Sequence, residues 1–156
     1  MIGAAHAETF LHEHVPLTRQ MQVRVTGCDP EGVLLAAPLA PNINHVGTVF
    51  AGSASALAML AGWTLIHARL AEWPFETTLV IRRARIDYDH PIDGDYEAWC
   101  PSPAADQWDR FGADLRAGRG RLELAVEVRR EGRRMARFNG VYVALRNEEG
   151  DQPCPD

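Results

Sequence analysis

The segment from Ser53 to Leu70 carries no charged side chain until it reaches His67 and Arg69. Its length and the spacing of its apolar residues predict a helix of about five turns. A helix that is apolar around its whole circumference must be enclosed by protein on every side. Small residues recur along one flank at helical spacing, namely Ala51, Ser55, Ala58 and Gly62. We therefore expect a sheet to curl closely around this helix.

Most of the remaining chain shows the patterns of β-strands. Apolar and polar residues alternate in several segments, which Pro, Gly and Asp residues separate. The predicted strands cover residues 21–25, 33–36, 77–88, 94–100, 121–128 and 137–145, and two further helices are predicted over 4–14 and 104–117. The first two strands form a hairpin. The pattern predicts an α+β fold, with an antiparallel sheet wrapped around one long central helix.

Length and composition predict a single domain. A chain of 156 residues, 46% of them hydrophobic and 24% charged, is large enough to enclose one core. We assign residues 1–146 to this domain, and we expect the polar, Pro-containing segment 147–156 to be a disordered tail. The net charge of -5 excludes a nucleic-acid-binding protein on bulk charge.

The cysteines and the hydropathy pattern predict a cytoplasmic protein. Cys28, Cys100 and Cys154 are odd in number and lack C-x-x-C spacing, so neither a disulfide framework nor a structural zinc site is expected. The most apolar segment, 50–66, is shorter than the roughly 20 residues that a bilayer demands, and residues 1–14 do not resemble a secretory signal. We expect no metal, no cofactor and no membrane span.

The run from Asn42 to Ser53 brings polar side chains, two glycines and the start of the central helix close together. Backbone N–H groups at a helix start have no partner within the helix, and the helix dipole is positive there. The amides of Gly52 and Ser53, together with the side chain of Asn44, can therefore polarise a carbonyl oxygen. The alternative is that these Gly and Asn residues only cap and turn the chain.

The order of elements and two motifs resemble a known family. Residues 38–53 read Pro-Leu-Ala-Pro-Asn-Ile-Asn-His-Val-Gly-Thr-Val-Phe-Ala-Gly-Ser, and residues 86–95 carry an Ile-x-Tyr-x-x-Pro-x-x-Gly-Asp pattern. With Leu-Ala-Gly-Trp at 60–63, they are similar to the hot-dog fold, specifically the YiiD-type putative thioesterase family, over nearly the whole chain. The resemblance implies a homodimer or dimer-based tetramer that acts on acyl groups thioesterified to coenzyme A (CoA) or acyl carrier protein (ACP), with sites at the dimer interface.

Hydrolysis of a thioester needs an oxyanion stabiliser and a group that activates water. Related hot-dog enzymes carry an acid in the central helix or an Asp in the loop before a His, whereas this helix has no acid and the loop has Asn42 and Asn44. His45 is then the candidate base. Decarboxylation of a malonyl thioester needs no base, and Asn44, Thr48 and the helix-start amides would stabilise its enolate.

Four residues are predicted to bind substrate. We expect Thr48 and Phe50 to contact the acyl thioester, and Arg82 and Arg137 to contact a pantetheine phosphate or an acidic carrier protein. The main hypothesis is a thioesterase acting on acyl-CoA or acyl-ACP. The alternative is a malonyl-ACP or malonyl-CoA decarboxylase, and the third hypothesis is a non-catalytic protein that binds acyl thioesters.

Overall fold

The computed structural model describes residues 1–147, so the predicted tail lies outside the described residues except for Asn147. The helices are α1 (Ala4–His14), α2 (Leu17–Gln20), α3 (Ala51–Leu70) and α4 (Ala105–Arg116). The strands are β1 (Arg24–Asp29), β2 (Gly32–Ala37), β3 (Thr77–Tyr88), β4 (Tyr96–Pro101), β5 (Arg119–Arg130) and β6 (Arg133–Arg146). None of the described helices is long and apolar enough to cross a membrane.

The six strands form one antiparallel sheet in the order β1-β2-β4-β5-β6-β3. The central helix α3 packs against β2, β4, β5, β6 and β3. Inward-facing residues of the sheet and one side of α3 form a continuous hydrophobic core. This arrangement confirms the predicted α+β architecture of an antiparallel sheet around one long helix.

Small residues allow the sheet to approach α3 closely, but of the predicted flank only Ala58 and Gly62 are buried, whereas Ala51 is exposed and Ser55 is half-buried. Ala58, Ala61 and Gly62 are buried against the sheet. The side chain of Tyr142 on β6 lies over Gly62. Its hydroxyl donates a hydrogen bond to the carbonyl oxygen of Met59 at 2.8 Å. A Cβ atom on Gly62 would lie only 2.7 Å from Cζ of Tyr142. The absence of a side chain at this position is therefore what permits the contact.

One stripe of α3 is only half-buried, which differs from the predicted enclosure on every side. The stripe consists of Ala56, Met59, Leu60 and Trp63, which pack against the core from outside. Helix α1 covers part of it, because the ring of Phe10 stacks on Trp63 with a centroid separation of 5.8 Å. The apolar pattern of the sequence correctly indicates burial, but the sheet encloses only one side of the helix.

Most predicted elements agree with the structure to within a few residues, and β3 has the predicted bounds. The first strand is displaced from 21–25 to Arg24–Asp29, because Gln22 adopts a φ of 55° that ends a turn and cannot continue a strand. Strands β5 and β6 extend beyond their predicted ends, where Arg130 pairs with Arg133 across the hairpin. Helix α2 was not predicted, since a single turn shows no periodicity.

The two edges of the sheet differ in how they are covered. On β1, the N–H of Val25 donates to Oε2 of Glu8 at 2.8 Å, and Nε2 of His12 lies 2.8 Å from the carbonyl oxygen of the neighbouring Val23, so α1 covers the beginning of this edge. The other edge, β3, is twelve residues long and pairs only with β6 among the described strands. A long open edge is a template for a further strand.

Replacing Gly62 with Ala is expected to lower the free energy of unfolding by about 1–3 kcal/mol, because the added methyl group meets the ring of Tyr142. Helix propensity alone predicts the opposite sign, since Ala is favoured over Gly by about 1 kcal/mol. Gly27→Ala is the matched control, because its methyl group would find ordinary contact at 3.4 Å from Cβ of Leu34. Urea unfolding measures both, and a Gly62→Ala protein as stable as the parent would contradict the close approach.

Candidate active site

The loop before α3 closes on itself as a small hairpin. Ile43 and Val49 form an isolated antiparallel bridge, and the N–H of Asn44 donates to the carbonyl oxygen of Thr48 at 2.7 Å. Gly47 occupies the turn with a φ of 84°, a conformation that favours glycine. The sequence of the loop thus determines its shape through one glycine and one backbone bridge.

One backbone hydrogen bond and one buried side chain fasten this hairpin to the rest of the domain. The N–H of Val49 donates to the carbonyl oxygen of Ile92 at 2.8 Å, whereas the N–H of Phe50 donates to the carbonyl oxygen of Asn42 at 2.7 Å and closes the base of the hairpin itself. The side chain of Asn42 is buried and donates to the carbonyl oxygens of Met21 and Pro38 at 3.0 and 2.8 Å. These bonds hold the end of the loop at a defined position in front of α3.

The side chain of Asn44 uses its full hydrogen-bonding capacity inside the loop. Its Nδ2 donates to Oγ1 of Thr48 at 2.9 Å and to the carbonyl oxygen of Val49 at 3.3 Å. Its Oδ1 accepts from the N–H groups of Val46 and Thr48 at 3.0 and 3.1 Å. A substrate oxygen could bind Asn44 only if one of these bonds were released. Asn44 and Thr48 therefore shape the loop, and their contact with substrate stays a prediction.

The first turn of α3 has no cap. Phe50 stands at the N-cap position without a side-chain hydrogen bond to the helix, and the first turn contains no acidic residue. The N–H groups of Ala51, Gly52 and Ser53 find no acceptor within residues 1–147, and the helical bonding begins with Ala54. Helix starts usually satisfy such donors with a Ser, Thr, Asp or Asn side chain. The positive end of the α3 dipole is therefore uncapped within residues 1–147, and the binding of a substrate oxygen by Gly52 and Ser53 stays a prediction.

Exposed apolar side chains stand on the residues that precede these donors in the chain. The ring of Phe50 lies over Gly52, where a Cβ atom would come within 3.0 Å of Cζ of the ring. Phe50 is 57% exposed, and Ile43 and Val46 in the preceding loop are 52% and 67% exposed. Large apolar side chains seldom remain in water without a partner when they cluster. The site thus combines N–H donors with an apolar surface, which is the pairing that an acyl thioester requires.

Tyr88 joins the sheet edge to the start of α3, a role that the sequence did not reveal. Its hydroxyl donates to the carbonyl oxygen of Ala51 at 2.7 Å, and its side chain is 47% exposed. Burial raises the pKa of this phenol above its ordinary value, so it remains a donor at neutral pH. The residue belongs to the Ile-x-Tyr motif, and its position at the end of β3 is the signal that places it near the helix start.

The four acids on and after β3 are already engaged in contacts. Asp87 contacts Arg85, Asp89 contacts Arg134 and Arg137, Asp93 contacts Arg130, and Asp95 accepts the N–H of Leu39 at 2.9 Å. Desolvation opposes the charge of Asp89, but the hydrogen bonds and charges of Arg137 and Arg134 lower its pKa below the ordinary value. A carboxylate held as an ion pair is a weak general base. Asp87, Asp89 and Asp93 are therefore poor candidates for the base in hydrolysis.

The remaining predicted residues occupy different places. His45 is exposed in the loop and has no hydrogen-bond partner within residues 1–147. Arg137 lies opposite Asp87 in the sheet and contacts Asp89 at 3.0 Å. Arg82 is exposed at a bulge of β3, five residues before Asp87, which corresponds to about 17 Å along a strand. The structure brings Arg137 to the Tyr88 end of β3 but does not bring Arg82 there.

Residues 4–146 match the family described as putative thioesterase (YiiD C-terminal). The chain belongs to this family. At 26% identity, it is similar to a protein of unknown function from Chlorobaculum tepidum TLS (TM-score 0.86, covering 92% of this chain and 94% of that one). It is also 26% identical to a protein named putative thioesterase from Shewanella oneidensis (TM-score 0.81, covering 91% and 96%).

A thioesterase from Haemophilus influenzae shares 9% identity with this member of the YiiD family and a TM-score of 0.68, over 94% of this chain and 92% of its own. At that identity the likeness shows the fold alone. The matches confirm the hot-dog fold and the resemblance to the YiiD-type family that residues 38–53 and 86–95 indicated.

Replacing Asn44 with Ala is expected to lower the free energy of unfolding by about 1–3 kcal/mol, because the loop loses four side-chain hydrogen bonds. His45→Ala is the matched control, since this neighbour is exposed, and its stability should change by less than about 0.5 kcal/mol. Chemical denaturation measures both variants. Equal stability of the two would show that Asn44 does not order the loop.

Proposed function

We propose that this member of the YiiD family hydrolyses acyl thioesters of CoA or ACP at the start of α3. The observation that carries the proposal is the uncapped first turn, in which N–H groups lack an acceptor within residues 1–147. During attack by water, negative charge develops on the thioester oxygen, and fixed N–H donors stabilise that charge more than they stabilise the ground state. The amides of Gly52 and Ser53 are the proposed donors.

The surroundings of these donors fit the two ends of such a substrate. The exposed side chains of Phe50 and Ile43 offer an apolar surface to the acyl group or its thioester end. Arg137 is 54% exposed beside Asp89 and is the nearer candidate for a phosphate of the pantetheine arm or an acidic carrier protein. Arg82, further along β3, is proposed to contact a more distant part of the carrier.

His45 is the proposed base for hydrolysis. Its exposure leaves the imidazole accessible to water, and no described hydrogen bond fixes its ring. A neutral imidazole can accept a proton from water as the oxygen attacks the carbonyl carbon. The C–S bond then breaks, and the proton passes to the departing thiolate.

We also propose that the protein works as a homodimer or a dimer-based tetramer with the site near the subunit interface. The open edge of β3, the half-buried stripe of α3 and the exposed Phe50 all lie on surface that one protomer leaves uncovered. A second copy placed there would cover all three. A cytoplasmic location accords with the free thiols of Cys28 and Cys100.

Decarboxylation of a malonyl thioester is the second candidate, and the engagement of the four acids favours it. No acidic residue lies between Ala51 and Leu70, and the acids near β3 are paired. The bond between the carboxylate carbon and the α-carbon would break, carbon dioxide would leave, and the electron pair would form an enolate held by the helix-start amides. Water would then protonate the α-carbon. A protein that only binds acyl thioesters is the third candidate.

One assay separates the three candidates. The purified protein is incubated with malonyl thioesters and with straight-chain acyl thioesters on both CoA and ACP, and free thiol and carbon dioxide are followed separately. Thiol release from acyl substrates supports hydrolysis. Carbon dioxide release with an intact thioester supports decarboxylation, and saturable binding without either product supports the binding protein.

Replacing Ser53 with Pro is expected to reduce turnover by about 10²–10³-fold, because it removes one proposed oxyanion donor and changes no charge. Proline is tolerated in the first turn of a helix, where the N–H has no intrahelical partner. Ala51→Pro is the matched control, since it removes the N–H next to the proposed pair and should retain turnover. Steady-state rates of both variants test this, and circular dichroism checks that both are folded. Equal rates in the two variants would exclude the Ser53 amide as an oxyanion donor.

Replacing His45 with Gln distinguishes hydrolysis from decarboxylation. If His45 is the base, hydrolysis should fall by about 10²–10⁴-fold, whereas decarboxylation should continue at the parent rate because it needs no base. His6→Gln is the control, because His6 is an exposed histidine on α1. Parent-level hydrolysis by His45→Gln would assign the base to another group.

A further inference from the structure

A separate cavity of about 450 Å³ lies at the opposite end of α3, between its last turn and α4. Leu70 at its wall is 18 residues from Gly52, which corresponds to about 27 Å along a helix. The cavity is therefore distinct from the candidate active site. Its volume is in the range of small-ligand sites, which is about 300–1,000 Å³.

Two guanidinium groups line this cavity and each stands over an indole ring. Cζ of Arg69 lies 5.1 Å from the ring centroid of Trp108, and Cζ of Arg116 lies 5.1 Å from that of Trp73. Neither arginine forms an ion pair with any carboxylate of the described chain. Stacking on an indole fixes the plane of a guanidinium and leaves the N–H groups at its edge for an anion.

Arg69 also has a donor that is buried without an acceptor. Its Nε atom is inaccessible to solvent and makes no hydrogen bond within residues 1–147. A buried donor on a charged group is costly when it is unpaired, so proteins rarely retain one without a partner. An oxyanion in the cavity would meet this donor only after the guanidinium group shifts, because Nε has no accessible surface. The unpaired donor and the absence of an ion pair on either arginine within the described chain distinguish the site from a purely structural cation–π contact.

A carboxylate and an aromatic wall complete the cavity. Asp109 lines it and has no ion-pair partner in the described structure, whereas Asp106 on the same helix pairs with Arg110 at 3.6 Å. Gly112 lets the indole of Trp73 reach α4, since a Cβ atom there would lie 3.1 Å from Cη2 of the ring. The cavity thus presents cations, one hydrogen-bond acceptor and aromatic surface.

We propose that this cavity binds a nucleotide whose base carries an exocyclic amino group. Arg69 and Arg116 bind the phosphate through charge-assisted hydrogen bonds, and the base packs against the indole of Trp73 or Trp108. Asp109 accepts a hydrogen bond from the amino group. The proposal does not depend on the reaction at the start of α3.

The test is a titration of the full chain, followed by calorimetry and by quenching of tryptophan fluorescence. Adenosine monophosphate is expected to bind saturably. Adenosine lacks the phosphate, and inosine monophosphate lacks the amino group. Each is expected to bind at least about tenfold more weakly than adenosine monophosphate. If inorganic phosphate binds as tightly as adenosine monophosphate, the cavity holds an adventitious ion only, and the proposal is overturned.

Variants locate the site. Arg69→Gln and Arg116→Gln should each weaken the binding of adenosine monophosphate by about tenfold or more. Arg110→Gln is the control, because Arg110 lies on the same helix, pairs with Asp106 and does not line the cavity. Arg116 is exposed, so its replacement tests the proposal even if Arg69→Gln fails to fold. No saturable binding by the parent, or equal affinity in all three variants, would overturn it.

Discussion

The burial of α3 is the constraint on which the rest of the structure depends. The helix has no charged side chain between its first residue and His67, and its apolar surface must be removed from water for the chain to fold. The antiparallel sheet supplies most of the covering surface. Ala58, Ala61 and Gly62 set the distance, because they allow Tyr142 to reach the helix backbone. The sheet and helix therefore specify each other, and neither would be stable alone.

Because charge is excluded from the length of α3, polar groups concentrate at its two ends. At the first turn, free N–H donors meet exposed apolar side chains. Near the last turn, the ring of His67 packs against both Phe10 and Trp63, with centroid separations of 4.2 and 4.6 Å. Burial, and then the charges of His6 and His14, lower the pKa of His67, so its imidazole is neutral at neutral pH. A neutral ring suits this aromatic cluster, which leaves Arg69 as the only charged side chain in the last turn.

The sequence predicts the fold well because the fold depends on periodicity. The apolar helix, the β-branched run of β3 and the alternation in β5 each follow one period over many residues. Features that depend on one dihedral angle or on chain context were missed. The φ of Gln22 displaced β1, the single turn of α2 lacked a pattern, and polar Arg residues at the hairpin of β5 and β6 pair through their backbones regardless of side chain.

The residue types of the candidate site stay a prediction from the sequence, whereas their hydrogen bonds are visible only in the structure. The sequence indicates Asn44, Gly52 and Ser53, yet only the folded loop shows that the Asn44 amide is engaged with its own neighbours, because the left-handed turn at Gly47 brings Thr48 back to it. The sequence likewise does not show that Asp87, Asp89 and Asp93 form ion pairs with arginines. Because the Asn44 amide is already hydrogen-bonded within the loop, the donors that remain at the helix start are backbone N–H groups. The chemistry proposed for this site therefore depends on the dipole and amides of α3, and sequence composition alone could not distinguish them from side-chain donors.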